Sequence, residues 1–221
     1  MSRSIDFAVI GLGRFGESLI EALLKEKKNV IVLDINQEKI NRIADKVSYA
    51  ACLDSTNEDA LEEAGVKNAD AVIVAMGSDF ESGVMTVVTL QKLGVSNIYV
   101  KASCESQAKV YKQLGIEHII MPEIETGRRL ATKLTHSSLK DFINLEKDLA
   151  IVQVEVLNSN IIGKTIQEIN VRENLNVNII AINRNDNTHL PKSDYIFQEN
   201  DVLYIITSNK SLSKIEKFFG K

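Results

Sequence analysis

The sequence is poor in the residues that form disulfide frameworks and transition-metal sites. It contains only two cysteines, Cys52 and Cys104, which are too few and too far apart for a disulfide framework or a cysteine-based zinc site. Its three histidines, His118, His136 and His189, are scattered and have no partners at metal-ligand spacing. We therefore interpret the cysteines as structural thiols and expect no transition-metal site.

Long apolar runs and an excess of positive charge are also missing. No apolar run approaches the roughly 20 residues that span a bilayer, and the N-terminus lacks the apolar stretch of a signal peptide, so we expect a cytoplasmic location. The net charge of −4 argues against nucleic acid as a partner, because DNA-binding proteins usually show a basic excess. The length of 221 residues allows one large or two small domains.

A glycine-rich motif follows the first apolar run of the chain. Residues 5–10 lead into Gly11-Leu12-Gly13-Arg14-Phe15-Gly16, after which a helical pattern begins. Gly11 would allow a tight turn, Gly13 would let the backbone approach a pyrophosphate, and Gly16 would let the helix pack close to the strand. The exposed amides and the dipole of that helix end favour an anion.

An acidic residue completes this dinucleotide-binding pattern. The second apolar run, residues 30–33, ends at Asp34, whose carboxylate would accept hydrogen bonds from a ribose diol and disfavour a 2′-phosphate. NAD or an adenine nucleotide therefore fits better than NADP. A glycine-rich turn without a ligand is the alternative, but the strand, helix and acid together favour nucleotide binding.

Up to about residue 121, short β-branched runs alternate with amphipathic segments, a pattern that predicts an α/β, Rossmann-type doubly wound parallel sheet. The predicted strands are 5–10, 30–33, 48–53, 71–76, 97–101 and 117–121. The predicted helices are 15–27, 37–45, 57–64, 82–93 and 105–114.

In such a fold the ligand lies outside the carboxyl ends of the strands, which draws attention to the residue that follows each strand. Asp54, after the third strand, either lines an adenosine site or belongs only to a helix cap formed by Thr56 or Asn57. Lys101 and Glu123 follow the fifth and sixth strands, and on pattern alone they are surface charges.

The remainder of the chain predicts a second lobe joined by crossover helices. We expect residues 1–122 to form the nucleotide-binding lobe, 123–147 the crossover and 148–221 a small α+β lobe. The crossover would contain one helix from Glu123 to about His136 and another from Leu139 to Leu145, buried against their own lobe or another subunit. The predicted elements of the second lobe are strands 149–157, 177–183, 195–197 and 201–207 and helices 163–169 and 211–219.

Several segments resemble one family, the cytosolic regulatory subunits of bacterial Ktr/Trk potassium uptake systems, which combine an RCK N-lobe with a TrkA-C lobe. The resemblance covers nearly the whole chain. Its specific segments are residues 7–16, Leu53-Asp54-Ser55-Thr56, residues 72–77, Tyr99-Val100-Lys101-Ala102, Met121-Pro122-Glu123, and residues 157–166.

The resemblance implies a homo-oligomer, an octameric ring built from dimers, that docks on a membrane potassium-translocating partner, gates it by nucleotide exchange and catalyses nothing. It implies ATP/ADP or NAD(H) in the N-lobe, with Arg14 near the terminal phosphates. The implied cofactor-binding residues are Gly11, Gly13, Arg14, Phe15, Gly16, Asp34, Asp54, Ser55, Ala75, Lys101 and Glu123. Glu123 would lie near the phosphates of a neighbouring subunit and hold a cation.

The resemblance also implies cyclic di-AMP between paired C-lobes, at Ile166, Arg172, Asn178, Ile179 and Pro191. An arginine and an asparagine suit a phosphate, and aliphatic faces suit a purine. On pattern alone, Ile166 and Ile179 are core residues and Arg172 is a solvated charge.

Two other functions are weighed against a gating subunit. An NAD-dependent oxidoreductase needs an acid/base group near the nicotinamide, but the chain has no Tyr-x-x-x-Lys, and its histidines have no evident acidic partner. A redox-sensing transcriptional regulator needs a basic helix-turn-helix, and no such pattern precedes the glycine-rich motif.

Overall fold

The computed structural model describes residues 5–77, 79–135, 138–146 and 148–220, and at residues 144 and 146 only the backbone. His136 and the expected crossover boundary at residue 147 lie outside this range. The chain divides into two compact units, Met1–Ile124 and Glu125–Lys221. Among the helices of the described residues, none has the length and apolarity needed to cross a membrane.

The first unit contains a six-stranded sheet in the order β3-β2-β1-β4-β5-β6. Every pairing in it is parallel, so the predicted doubly wound fold is confirmed. The order reverses between β1 and β4, which is where ligands bind in sheets of this kind. The strands are β1 Ile5–Ile10, β2 Val30–Asp34, β3 Tyr49–Cys52, β4 Ala69–Val74, β5 Ile98–Lys101 and β6 His118–Ile120.

A helix follows each of these strands, and three of the helices begin at polar caps. The side chains of Asn36, Asn57 and Asp79 each accept a hydrogen bond from a backbone amide in the first turn of the helix that follows. Such caps satisfy amides that have no partner within the helix. The helices are α1 Arg14–Lys25, α2 Gln37–Ile43, α3 Glu58–Glu63, α4 Phe80–Lys92, α5 Glu105–Gln113 and α6 Pro122–Thr135.

The central strands of this sheet are buried on both faces. Leu61 and Leu90 belong to a core cluster with Leu33, whereas Ile20 and Ile40 belong to a second cluster, and all five are nearly inaccessible. Parallel strands covered on both faces require continuous apolar runs. This requirement explains why the runs were visible in the sequence.

The second unit contains a five-stranded sheet in the order β10-β9-β11-β8-β7. Its pairings are antiparallel, and its core includes side chains from all three helices that follow β8, so the predicted α+β lobe is confirmed. The strands are β7 Leu139–Glu146, β8 Leu149–Glu155, β9 Asn178–Arg184, β10 Asn187–His189 and β11 Val202–Ser208. The helices are α7 Ile166–Ile169, α8 Val171–Leu175 and α9 Leu212–Phe219.

The second helix predicted for the crossover, Leu139–Leu145, was wrong. This segment is β7, an edge strand in which Phe142 pairs with Val152 and Ile143 with Ile151 of β8. Short apolar runs do not distinguish helix from strand, and pairing with a neighbouring strand decides between them. Of the two predicted crossover helices, the structure retains α6, and the rest of the described segment joins the second sheet.

Two smaller predictions in the second unit also require correction. Residues 195–197 are not a strand, because the only pairing there among the described residues is an isolated bridge between Thr165 and Ile196. The extra strand is β10, which forms a hairpin with β9 through Asn185 and Asp186 in left-handed conformation. Asparagine and aspartate tolerate that conformation better than most residues.

Candidate functional site

A cleft opens at the carboxyl ends of the first four strands. Residues that follow β1, β2, β3 and β4 line it, together with the cap and first turn of α4. We call it the β1–β4 cleft, and its lining residues are Ile10, Gly11, Asp34, Ile35, Leu53, Asp54, Ser55, Met76, Asp79 and Ser82. Three predicted cofactor-binding carboxyl or hydroxyl residues, Asp34, Asp54 and Ser55, therefore share one cavity wall with Gly11.

The three glycines of the motif have different surroundings. Gly11 has a φ of +103°, a conformation that suits glycine. A Cβ atom on Gly16 would lie 2.1 Å from the carbonyl oxygen of Gly11, whereas one on Gly13 would have nothing within 4 Å. The close contact is thus at Gly16, and Gly13 is the glycine with space in front of it.

The N-terminus of α1 faces this space without a side-chain cap. Gly13 is the residue that precedes the helix, and it makes no side-chain cap hydrogen bond. Arg14, the first helical residue, is exposed, while Phe15 is half-buried and packs against the core. Uncapped amides and a basic side chain at a helix start favour the binding of an anion. Phe15 would contribute only its backbone to such a site, because its side chain packs against the core.

Asp34 links the glycine-rich loop to the end of β2. Its Oδ2 atom accepts a hydrogen bond of 2.5 Å from the amide of Leu12, and its Oδ1 atom accepts one of 2.8 Å from the amide of Asn36. The ammonium group of Lys39 lies 3.7 Å from Oδ2, and the Asp34 side chain is only 8% exposed. The carboxylate is therefore held in one orientation before any ligand is present.

Asp54 lines the β1–β4 cleft and also makes hydrogen bonds within the turn that precedes α3. Its Oδ1 atom accepts hydrogen bonds from the amide and hydroxyl of Thr56, at 2.9 and 2.7 Å, and these bonds hold the pKa of the Asp54 carboxyl below its usual value. Asn57 supplies the cap of α3, so Asp54 also remains part of the cleft wall. Asp54, which lines the cleft, and Asn57, which caps α3, belong to one turn, in which the amide of Asn57 donates to the carbonyl oxygen of Asp54.

Ser55 is a nearly buried part of the cleft wall. It is 6% exposed, and its hydroxyl lies 2.8 Å from that of Thr86 in α4. Ala75 is likewise 6% exposed and packs beneath the motif, 3.5 Å from the position of a Cβ on Gly16. Both residues support the cleft from below.

Asp79, Ser82 and Ile35 are lining residues that sequence reasoning missed. Asp79 caps α4 by accepting a hydrogen bond from the amide of Ser82, and its pKa is lowered by its hydrogen bonds from the Ser82 side chain and backbone. Ile35 is 73% exposed beside the cleft. The rule that pointed to the other strand ends could have found these three residues, because they lie within a few positions of the ends of β2 and β4.

Two basic side chains, Arg14 and Lys101, belong to residues at the start of α1 and at the carboxyl end of β5. The ammonium group of Lys101 lies 2.7 Å from Oε1 of Glu123, and its Cδ and Cε atoms lie 3.1 Å from where a Cβ on Gly77 would be. The hydrogen bond from Lys101 is the main cause that lowers the pKa of Glu123, and the charge of Arg14 adds to it. We call Arg14, Lys101 and Glu123 the basic end of the site.

The site therefore has two chemically different parts. Three carboxylates line the β1–β4 cleft, where they can accept hydrogen bonds from hydroxyl and amino groups. The basic end has two cations and one carboxylate, which suits an anionic group. Within the described residues, no three histidine, cysteine, aspartate or glutamate side chains gather as a metal site.

The residues proposed for cyclic di-AMP lie in the second unit, but not in one environment. Ile166 and Ile179 are half-buried and pack against the same core cluster. Arg172 in α8 and Asn178 at the start of β9 are exposed, and Pro191 after β10 is half-buried. The structure thus brings the two isoleucines into one cluster and leaves the polar residues on the surface.

Comparison with known proteins decides the family. The TrkA-N domain model matches residues 7–122, and the TrkA-C domain model matches residues 151–220. The chain belongs to the TrkA-N/TrkA-C family of potassium uptake proteins. It is 35% identical to Ktr system potassium uptake protein C of Bacillus subtilis over 96% of each chain, and 33% identical to Ktr system potassium uptake protein A of that organism over 95% of each. The family resemblance is confirmed.

Solved structures support the same fold. The GsuK RCK domain superimposes with a TM-score of 0.68 at 15% identity, covering all of this chain and 48% of that one. The chain thus spans about half the length of that RCK-domain chain. The GsuK channel bound to NAD gives a TM-score of 0.67 at 16% identity. The TrkA-N domain of Escherichia coli YbaL covers 61% of this chain with a TM-score of 0.54.

Proposed function

We propose that this TrkA-N/TrkA-C protein is the cytosolic regulatory subunit of a potassium uptake system and that nucleotide binding in its N-lobe controls a membrane potassium-translocating partner. The observation on which the proposal depends is the division of the site into an acidic cleft and a basic end along one edge of a parallel sheet. The names of the Ktr relatives support the transport role.

The ligand proposed for the N-lobe is ATP/ADP or NAD(H). Its ribose would bind to Asp34 and its base would lie near Asp54, because both carboxylates line the cleft and can accept hydrogen bonds. Its phosphates would lie at the uncapped start of α1, between Arg14 and Lys101. The GsuK channel bound to NAD shares this fold and supports a dinucleotide as one alternative.

The mechanism proposed is a ligand-driven shift between two packings of a homo-oligomer, an octameric ring of paired lobes on the inner face of the membrane. A ligand shifts such an equilibrium only by the difference between its affinities for the two packings. The number of phosphates can supply that difference at the basic end. The chain would act by binding alone, without catalysis and without nucleic acid.

A second ligand, cyclic di-AMP, is proposed for paired C-lobes. Arg172 would bind a phosphate and Asn178 would donate hydrogen bonds, while Ile166, Ile179 and Pro191 would contact the purines. The exposure of Arg172 and Asn178 leaves both side chains accessible to such a ligand. Pairing of lobes would bring two such sets together.

The test is calorimetric titration of the full-length chain with ATP, ADP, NADH and cyclic di-AMP. Asp34→Ala should weaken the N-lobe ligands and spare cyclic di-AMP, and Arg172→Ala should do the reverse. Asp70→Ala and Lys214→Ala are matched controls, because Asp70 lies at the amino end of β4 and Lys214 is exposed on α9. Binding of NADH alone, with turnover of a small carbonyl substrate, would replace the regulatory proposal with an oxidoreductase.

A further inference from the structure

The basic end contains an ion pair formed within one subunit. Lys101 ends β5 and Glu123 lies in the first turn of α6, and their charged atoms are 2.7 Å apart. The family resemblance implies that Glu123 faces the phosphates of a neighbouring subunit. In the structure its carboxylate also lies beside a lysine of its own subunit.

The two partners differ in their freedom to move. The Lys101 side chain is 14% exposed and that of Glu123 is 62% exposed. The stem of Lys101 is confined by Gly77, whereas the Glu123 side chain projects from a helix start into solvent. When an anion arrives, the carboxylate can therefore move away while the ammonium group stays in place.

The balance of charge points to the same conclusion. Arg14 and Lys101 supply two positive charges, and Glu123 supplies one negative charge. Both cations lower the pKa of the Glu123 carboxyl. A phosphate that binds Lys101 would use the donors of its ammonium group that Glu123 leaves free, and it would compete with the carboxylate for the positive charge. The repulsion from that carboxylate increases with the number of negative charges on the ligand.

We propose that Glu123 is a specificity-determining residue that acts as an internal counter-ion of Lys101 and competes with the phosphates of the ligand for that lysine. The proposal rests on the nucleotide-binding function proposed above and adds an internal competitor to it. It makes the affinity of the site depend on phosphate charge, because only a sufficiently charged ligand can compete with the carboxylate.

The expected effect of Glu123→Gln is tighter binding of phosphorylated ligands. ATP should bind about three- to fivefold more tightly and ADP about twofold, while AMP should change little and adenosine should be unchanged, because an exposed ion pair has a small effect. The gain should shrink as ionic strength rises, because salt screens charges at this exposed site.

The experiment titrates the full-length wild-type chain, Glu123→Gln and the matched control Glu117→Gln with ATP, ADP, AMP and adenosine. Glu117 is exposed and precedes β6, so it lies at the amino end of that strand, whereas Glu123 follows its carboxyl end. Each titration is run in EDTA and again with magnesium. The gain should appear in EDTA for Glu123→Gln and be absent for Glu117→Gln.

A double variant tests whether Lys101 is the partner. Lys101→Gln should weaken ATP binding. Adding Glu123→Gln to this variant should restore little of the affinity, because the carboxylate then has no lysine to pair with. Unchanged or weaker ATP binding by Glu123→Gln in EDTA overturns the proposal. Weaker binding confined to magnesium would assign Glu123 to a bridging cation instead, and would also overturn it.

A pyrophosphate titration separates this proposal from the function on which it rests. If pyrophosphate binds Glu123→Gln more tightly than wild type while adenine nucleotides bind neither, the counter-ion is supported and the nucleotide function fails. If nucleotides bind wild type but neither they nor pyrophosphate distinguish the two proteins, the nucleotide function stands and the counter-ion proposal fails.

Discussion

Replacing Gly16 or Gly13 by alanine should separate the structural glycine of the motif from the ligand-binding one. A Cβ on Gly16 would lie 2.1 Å from the backbone oxygen of Gly11, where contacts below 3.0 Å are essentially never seen. The backbone must then move apart by about 1 Å, and overpacking of this kind costs about 1–3 kcal/mol. Because the blocking atom belongs to the backbone, we expect about 3 kcal/mol, a fall in Tm of roughly 6–12 °C.

Gly13→Ala should have the opposite profile. Its Cβ would meet nothing within 4 Å, and the φ of Gly13 is −91°, so we expect a change in stability within about 0.5 kcal/mol. The added methyl group would project where a pyrophosphate must approach. ATP affinity should therefore fall at least about tenfold, which corresponds to about 1.4 kcal/mol.

Thermal unfolding followed by circular dichroism, together with calorimetric ATP titration, measures both effects. The assignment of roles requires Gly16→Ala to lower Tm and Gly13→Ala to lower affinity at wild-type Tm. Equal Tm values for the two variants would refute the packing argument. Wild-type ATP affinity in Gly13→Ala would place the phosphates elsewhere.

Three other substitutions test individual contacts. Asp34→Asn should cost about 1–3 kcal/mol in urea unfolding, because it weakens the hydrogen bonds that hold the glycine-rich loop, and an unchanged midpoint would contradict this anchor. The lowered pKa of Asp54, caused by its hydrogen bonds from Thr56, adds stability above its unfolded pKa of about 3.9 that is lost as pH falls through the lower folded value. Asp54→Asn should therefore make Tm fall less steeply below about pH 4. The same dependence of Tm on pH in the variant and the wild type would rule out that contribution. Asp201→Ala should cost about 3–5 kcal/mol, because Asp201 is 1% exposed and binds Arg184 through two hydrogen bonds of 2.7 and 2.8 Å; a loss below 1 kcal/mol would show that Arg184 finds another partner.

The N-lobe was predictable because its signals are local and repeated. A parallel sheet covered on both faces needs continuous apolar runs such as residues 30–33, and these are visible without knowledge of the partner strand. Asp34 followed from the dinucleotide-binding pattern, and Asp54 followed from the rule that ligands bind at the carboxyl ends of strands. The same rule would have reached Asp79 if the cap of α4 had been considered.

The errors arose where long-range pairing decides the structure. Residues 139–145 fit a helical spacing, but their pairing with β8 makes them a strand. The sequence pattern also did not show that Ser55 and Ala75, two of the predicted cofactor-binding residues, are each only 6% exposed, because hydrogen bonding to Thr86 and packing beneath the motif cover them. Burial depends on the helix or loop that lies above a strand end, which a linear pattern does not contain.

The two parts of the site differ in how they are prepared for a ligand. Each oxygen of Asp34 accepts one backbone hydrogen bond, and a carboxylate oxygen has room for a second, so a ribose can bind while the loop stays anchored. Lys101 is already paired with Glu123, so a phosphate that binds it competes with that carboxylate. Ribose binding would then cost little rearrangement, whereas the phosphate contact would depend on charge. On this basis, discrimination between nucleotides that share adenosine originates at the basic end.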